Sequence, residues 1–384
     1  MGHGRYPFAL SSLRLGRSIR LRNRIFFAPM GIDVAHPDGT ASEEMAAFYR
    51  GIIGGGPGMV VLGNASVDAG TRLQERGLCL HDRRQAQALA PLLRYGQDRD
   101  CPVVVQLQHY GAQGSVRMGG GALMSPSGVP CPRIAKADPD YRTVAMTMDD
   151  IRAVQAQFAR AAALAQQAGA RLISLQASNG YLLSSFLSPH TNRRQDEYGG
   201  DAARRMRFLL EVIAAIRTAA PGIEISVRLG IDDCLPEGGQ RPDLLLPCLV
   251  MLEQAGVASL ECSMSIGQTF ASMLSYSPEA SQRLQDGVAT IRKGTGLKLG
   301  FAGFVGSLEA AEEAMLATGA DLIGMTRALF ADNDLVAKAA AGDPGIHRCR
   351  FDGNCFRDKG NPRLDRVYCC VNPKYLRPAE IVYS

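Results

Sequence analysis

Late in the chain, Gly303, Gly324 and Arg327 are of the types that hold a phosphate group. Glycines let backbone N–H groups come close to the oxygens, and an arginine fork can pair two of its N–H groups with them. Each of these residues ends or follows a short apolar run, and so do Pro29, Met30 and Gly31, Gly63 and Asn64, Gln106, the Gln176, Asn179 and Tyr181 set, Arg228, and Ala302, Met325 and Thr326. Other chemistries are poorly served. No Gly-Lys pair exists for a Walker A loop, no G-x-S-x-G elbow occurs, and the six histidines include no H-E-x-x-H pair. Near misses to G-x-G-x-x-G at 54–58 and 294–300 do not follow a strand and open a helix with the right third glycine. A separate dinucleotide domain is therefore not expected, and a nicotinamide would visit the same cavity as the primary cofactor.

The elements that must position these residues are legible as an alternation. Short β-branched runs at 24–28, 58–63, 102–107, 171–176, 224–229, 258–262, 297–301 and 321–325 alternate with helical patterns near 43–53, 83–97, 148–168, 202–219, 243–255, 278–292, 307–318 and 331–341. This predicts an α/β fold, a (β/α)8 TIM barrel, with the polar set at the C-terminal ends of its strands, where barrel sites lie. Thr147 with Asp150 has the form of a capping box, and Ser307 stands where it caps the seventh helix. The opening segment around Gly16 reads as an N-terminal hairpin closing the bottom of the barrel. Residues 111–146, rich in Gly, Pro and Ser, form a long loop after strand 3 that shapes the substrate side. The expected division is a barrel over 1–341 and a Cys-containing C-terminal extension over 342–384 packed on it.

Composition narrows the class further. With 384 residues, 46% of them hydrophobic and 21% charged, the chain can bury an ordinary core and is not disordered. The longest apolar stretch, 244–252, is far short of the ~20 residues of a membrane span and reads as core. No secretory signal is expected at the N-terminus, so the reading is cytoplasmic. The net charge of +5 is spread along the chain, which disfavours nucleic acid and leaves a small molecule as the partner; self-association is left open. Arginines outnumber lysines 36 to 6. Six of the ten cysteines are scattered, whereas Cys349, Cys355, Cys369 and Cys370 crowd the tail.

Three motifs resemble the old yellow enzyme family of NADH:flavin oxidoreductases. They are Asn23-Arg24-Ile25 with Ala28-Pro29-Met30, then Gln106-Leu107-x-His109, and above all Asn179-Gly180-Tyr181-Leu182-Leu183-x-x-Phe186-Leu187-Ser188-Pro189-x-x-Asn192-x-Arg194-x-Asp196-x-Tyr198-Gly199-Gly200. The similarity spans residues 7–341, and the tail further resembles the cluster-binding segment of the 2,4-dienoyl-CoA reductase branch, without that branch's C-terminal domains. The resemblance implies an FMN-binding barrel that takes hydride from NAD(P)H and passes it to an activated C=C or C=N bond. It places Pro29 and Met30 along the isoalloxazine, Gln106 on the pyrimidine edge and Arg228 by N1 and O2. Gly303, Gly324 and Arg327 then hold the phosphate, and Tyr181 protonates the substrate. The plainer alternatives are a strand-end ion-pair partner for Arg228 and a rim aromatic for Tyr181.

Departures from the family pattern matter as much. Gln176 stands where the family has His and Gly31 where it has a redox-tuning Thr or Cys, while Ala112 replaces an Arg. Gln176 and Asn179 would then offer two neutral amide donors to the substrate, which keeps open an oxidative amine demethylase or dehydrogenase and a non-catalytic flavin-binding protein. In the tail, the pattern C-x2-C-x2-C-x12-C puts Asp352 at the second ligand position between Cys349 and Cys355, with Cys369 or Cys370 as the fourth. Thiolate is a far better iron ligand than carboxylate, so a [4Fe–4S] cluster is not expected there and no metal site is assigned.

Overall fold

The computed structural model describes residues 5–119, 121–361 and 363–383. Eight parallel strands close into a barrel: β1 Ile25–Phe27, β2 Met59–Ser66, β3 Val103–Gln108, β4 Leu172–Ala177, β5 Glu224–Asp232, β6 Ser259–Met264, β7 Lys298–Ala302 and β8 Leu322–Gly324. Each strand pairs with its sequence neighbours, and β8 pairs with β1. The barrel read from the alternation is borne out, with every expected strand shifted by only a few residues. One row of the register matters for the site: Gln176 lies opposite Arg228, Arg228 opposite Glu261, and Glu261 opposite Gly300.

The N-terminal hairpin, Leu13–Leu15 against Ile19–Leu21, has the burial alternation of a half-covered ribbon. Leu13, Leu15, Ile19 and Leu21 pack beneath Phe26, Met59, Val61, Val104, Leu172 and Leu322, plugging the barrel's lower end. Gly16 at its turn has φ +54, and a Cβ there would sit 2.5 Å from the Glu224 carboxylate that accepts the Arg17 N–H. Glycine satisfies both constraints at once.

The caps stand where the sequence puts them. Thr147 and Asp150 form a reciprocal capping box on the helix Met148–Gln167, and Ser307 accepts the Ala310 N–H at the start of Leu308–Thr318. Two helical patterns differ from expectation. The 243–255 pattern divides into Pro242–Leu245, Leu246–Cys248 and Leu249–Gln254, because Pro247 has no N–H to continue the ladder. The last expected helix, 331–341, begins only at Leu335 and runs to Ala341; an unexpected short helix, Thr326–Ala331, precedes it, and between them Asp332 accepts from the Asp334 N–H, the His347 N–H and Lys338 Nζ. The excursion at 111–146 contains a small parallel ribbon, Leu123–Ser125 with Thr143–Ala145. Arg194 ties it down by donating to the Pro126 and Met146 carbonyls.

The tail folds around one buried carboxylate. Asp358 receives two N–H groups of Arg377 at 2.9 and 3.0 Å, the Tyr383 hydroxyl at 2.8 Å and the Tyr368 N–H at 2.8 Å. Tyr375 stacks on Phe330 at 5.2 Å, and Asn372 donates to the Phe330 carbonyl at 2.7 Å, docking the tail on the barrel's last helices. No helix among the described residues is long and apolar enough to cross a membrane.

Candidate active site

A cleft enclosing about 970 Å³, its open mouth included, lies at the C-terminal ends of the strands. Pro29, Met30, Asn179, Arg228, Ala302, Gly303, Gly324, Met325, Thr326 and Arg327 line it, together with Phe351, Cys355, Lys359 and Val367 of the tail. Gly31, Gly63, Asn64, Gln106, Gln176 and Tyr181 are not part of that wall and stand beside or beneath it.

Arg228 reaches the cleft from β5. Its Nη1 lies 3.2 Å from Glu261 Oε1 and its Nη2 donates to Ser263 Oγ at 3.3 Å. The buried Nε has no partner among the described residues. Arg228 is therefore an ion-pair partner and also an unsatisfied donor, the condition of a group waiting for a ligand, since an unmade buried hydrogen bond costs ~1–3 kcal/mol. Burial raises the Glu261 carboxyl above its ordinary range, and the neighbouring Arg228 charge opposes this.

Arg327 sits between the rings of Phe304 and Phe351, 4.9 and 4.8 Å from their centroids, and donates to the Leu274 carbonyl at 2.6 Å. That leaves donors of its fork unused by this bond. Thr326 donates to the Ala28 carbonyl at 2.9 Å, fixing the start of Thr326–Ala331 against the end of β1. Packing requires glycine at position 324, where a Cβ would lie 2.6 Å from Ala302 Cβ, and is tight at Gly303, where a Cβ would lie 2.6 Å from the end of the Leu284 side chain.

The Gln176 to Tyr181 segment is internally tied. Ser178 Oγ lies 2.6 Å from Gln176 Oε1 and 2.8 Å from Asn179 Oδ1. Asn179, at φ +59, donates to the Met264 carbonyl at 3.0 Å, so part of its donor capacity is already used by the protein. Gln106 is buried inside the barrel and donates to Ser174 Oγ at 3.4 Å.

Beside the cleft, Gly31 forms a parallel bridge with Gly63 of β2, continuing the pairing of β1 beyond its end. Asn64 donates to the Tyr110 hydroxyl at 2.9 Å, and the Tyr110 and Tyr181 rings meet edge to face at 5.4 Å. Burial raises the Tyr181 phenol above its ordinary value, with the Lys359 and Arg133 cations opposing. His109, at the end of β3, accepts the Gly111 N–H on Nδ1 at 3.1 Å, which assigns its proton to Nε2. Burial pushes its pKa down to about 4, and Nε2 has no partner among the described residues.

In the tail, Cys349 Sγ accepts the Phe351 N–H at 3.3 Å, and Cys369 Sγ accepts the Val371 and Asn372 N–H groups at 3.5 and 3.4 Å. Cys370 donates to Asp352 Oδ2 at 3.5 Å, and burial pushes the Cys355 thiol up to about 12. Among the described residues, no group of three or more His, Cys, Asp or Glu is arranged to hold a metal ion.

Several residues of the site were not among those singled out from the sequence: Asp33, Glu261, Phe351 and Lys359. Lys359 Nζ lies 2.8 Å from Asp33 Oδ2, and a Cβ built on Gly31 would come within 2.9 Å of that nitrogen. The missing side chain at position 31 was the available signal, because a gap at a strand end must be filled from somewhere.

Residues 12–345 match the profile of the NADH:flavin oxidoreductase / NADH oxidase family. A metal reductase of Desulforamulus reducens is 31% identical over 369 residues, covering 95% of this chain and 53% of that protein. An NADPH dehydrogenase of Listeria welshimeri is 32% identical over 327 residues, covering 85% of this chain and 92% of that protein. The chain thus spans about half the length of the first relative and nearly all of the second. The fold also superposes on an old yellow enzyme homologue from Zymomonas mobilis with TM-score 0.76 at 22% identity, over 89% of this chain and 94% of that one. The cleft fits the FMN that this family implies. An orphaned guanidinium N–H at Arg228 and a second, aromatic-flanked arginine at Arg327 share one cleft, and Met264, Met273, Leu274 and Val305 supply apolar wall for a flat ring system. By sequence, fold and cleft, the chain belongs to the NADH:flavin oxidoreductase / NADH oxidase family.

Proposed function

We propose that this chain is an FMN-dependent oxidoreductase that uses NAD(P)H to reduce an activated C=C or C=N bond of a small molecule. The observation that carries this reading is the unsatisfied Arg228 Nε in a cleft that also receives Arg327. Bound FMN supplies the hydride relay between nicotinamide and substrate. Arg228 would supply the positive charge that stabilises the reduced, anionic ring, with Glu261 and Ser263 orienting its guanidinium. Arg327, with Gly303, Gly324 and the adjoining Ala302, Met325 and Thr326, would hold the phosphate. Pro29, Met30, Gly31, Gly63, Asn64 and Gln106 would border the ring. Tyr181, backed by Tyr110, would hold the proton delivered to the substrate carbon, and Gln176 with Asn179 would orient the activating group. In this reading residues 1–341 are the FMN-binding barrel, and 342–384 form an extension that completes one wall of the cleft.

The test is anaerobic mixing of the purified yellow protein with NADPH, with NADH and with a panel of methylated amines. Bleaching of the flavin band by a nicotinamide, followed by its return on adding an enone, is the expected outcome. Bleaching by an amine alone would replace this reading with amine oxidation.

A further inference from the structure

Lys359 is one of six lysines in the chain, and it comes from the tail, not from a strand end. Its Nζ occupies the space that a side chain at position 31 would need, 2.9 Å from where a Gly31 Cβ would be. Asn64 Oδ1 lies 3.4 Å from that same point, and Asn64 leads through Tyr110 to Tyr181. The ammonium is thus placed on the side of the cleft that carries the phenols. It is also oriented. Asp33, held at φ +52, takes one of its three N–H donors at 2.8 Å, and the side chain is 23% exposed, so the remaining donors stand in a partly dry cleft. The adjacent Asp358, gripped by Arg377, Tyr383 and the Tyr368 N–H, fixes the turn that presents it.

We propose that Lys359 is the anion-recognising residue of the substrate pocket and selects acceptors that carry a carboxylate. The inference rests on the reductase reading above and adds a substrate class to it. A carboxylate on the acceptor shares the ammonium with Asp33 and gains a charge-assisted hydrogen bond, which is worth about ten- to a hundredfold in affinity. A protonated amine meets a like charge at the same place, which weighs against amine oxidation. Glycine at 31 and lysine at 359 form a matched pair: any larger residue at 31 displaces the ammonium.

The experiment measures dissociation constants of 4-hydroxybenzoate and 4-cresol on the FMN-loaded protein, by calorimetry and by perturbation of the flavin band. The parent is expected to favour the carboxylate at least about tenfold. In Lys359→Met that ratio falls to near one with cresol binding and FMN content unchanged, Lys359→Arg keeps most of it, and Asp33→Asn raises it. A parent with no preference, no carboxylate binding at all, or a preference that survives in Lys359→Met would overturn the proposal. Bleaching by NADPH is followed on the same samples, so that failure of the reductase reading is recorded separately from the binding ratio.

Discussion

At the barrel's strand ends, Arg228 takes its place from the register of three paired strands, with Gln176 on one side and Glu261 on the other. In the tail, Lys359 takes its place from the carboxylate one residue earlier, through partners 10, 19 and 25 residues further along. The first arrangement is built from many equivalent backbone hydrogen bonds, and losing one side chain leaves it standing. The second hangs on a single buried ionic centre. A buried ion pair adds little when replaced as a unit, but removing one partner leaves an uncompensated charge. Asp358→Ala strands Arg377, and the expected cost is about 3–5 kcal/mol. The loss should fall on the tail: limited proteolysis would cut beyond residue 342 while circular dichroism of the barrel persists, and the carboxylate preference would vanish. If the variant unfolds in one transition with the barrel, the contrast between the two regions is wrong and they form one cooperative unit.

The same contrast explains what could be read in advance. Strands and helices of the barrel follow from periodicity, a local property, so their places and two of their caps were legible, as were the residues at their ends. Helix continuity was less so: Pro247 interrupts one helical pattern, and another starts only after Asp332, which collects donors from Asp334, Lys338 and His347. The substitution of Gly31 for a side-chain donor could be seen, but what fills the space comes from a residue more than 300 positions away. Nothing in the spacing around Lys359 announces Asp33. The ring of Phe351 under Arg327 is equally hidden, because it depends on how an irregular segment docks.

Acid titration offers a sharper probe of the barrel side. His109 is held neutral in the fold with a pKa of about 4 against an ordinary 6.5. The unfolded chain therefore binds a proton that the native protein refuses between those values, and stability falls as pH drops from 6.5 toward 4, levelling below. The full effect is up to about 3 kcal/mol. Denaturant midpoints at pH 7, 5.5 and 4 should show a smaller acid-induced loss in His109→Gln than in the parent, once other titrating groups cancel in the comparison. Equal losses would mean that His109 is protonated in the native protein and that its Nδ1 no longer accepts the Gly111 N–H.

The smallest expected effect concerns a feature that is local in both sequence and space. Thr147 Oγ1 accepts the Asp150 N–H at 3.2 Å while Asp150 Oδ2 accepts the Thr147 N–H at 2.8 Å, starting the helix Met148–Gln167 directly after the excursion that carries Arg133. Thr147→Ala removes one half of this reciprocal cap and should cost about 1 kcal/mol. In a chain of this size that is a fall in Tm of roughly 2 °C. Because the box is exposed and Arg194 independently pins the excursion to the Pro126 and Met146 carbonyls, FMN retention and the carboxylate-to-cresol ratio should not move. A changed ratio in this variant would show that the start of the helix helps set the position of Arg133, whose charge acts on Tyr181, making the excursion, like the tail, a part of the pocket placed by distant contacts.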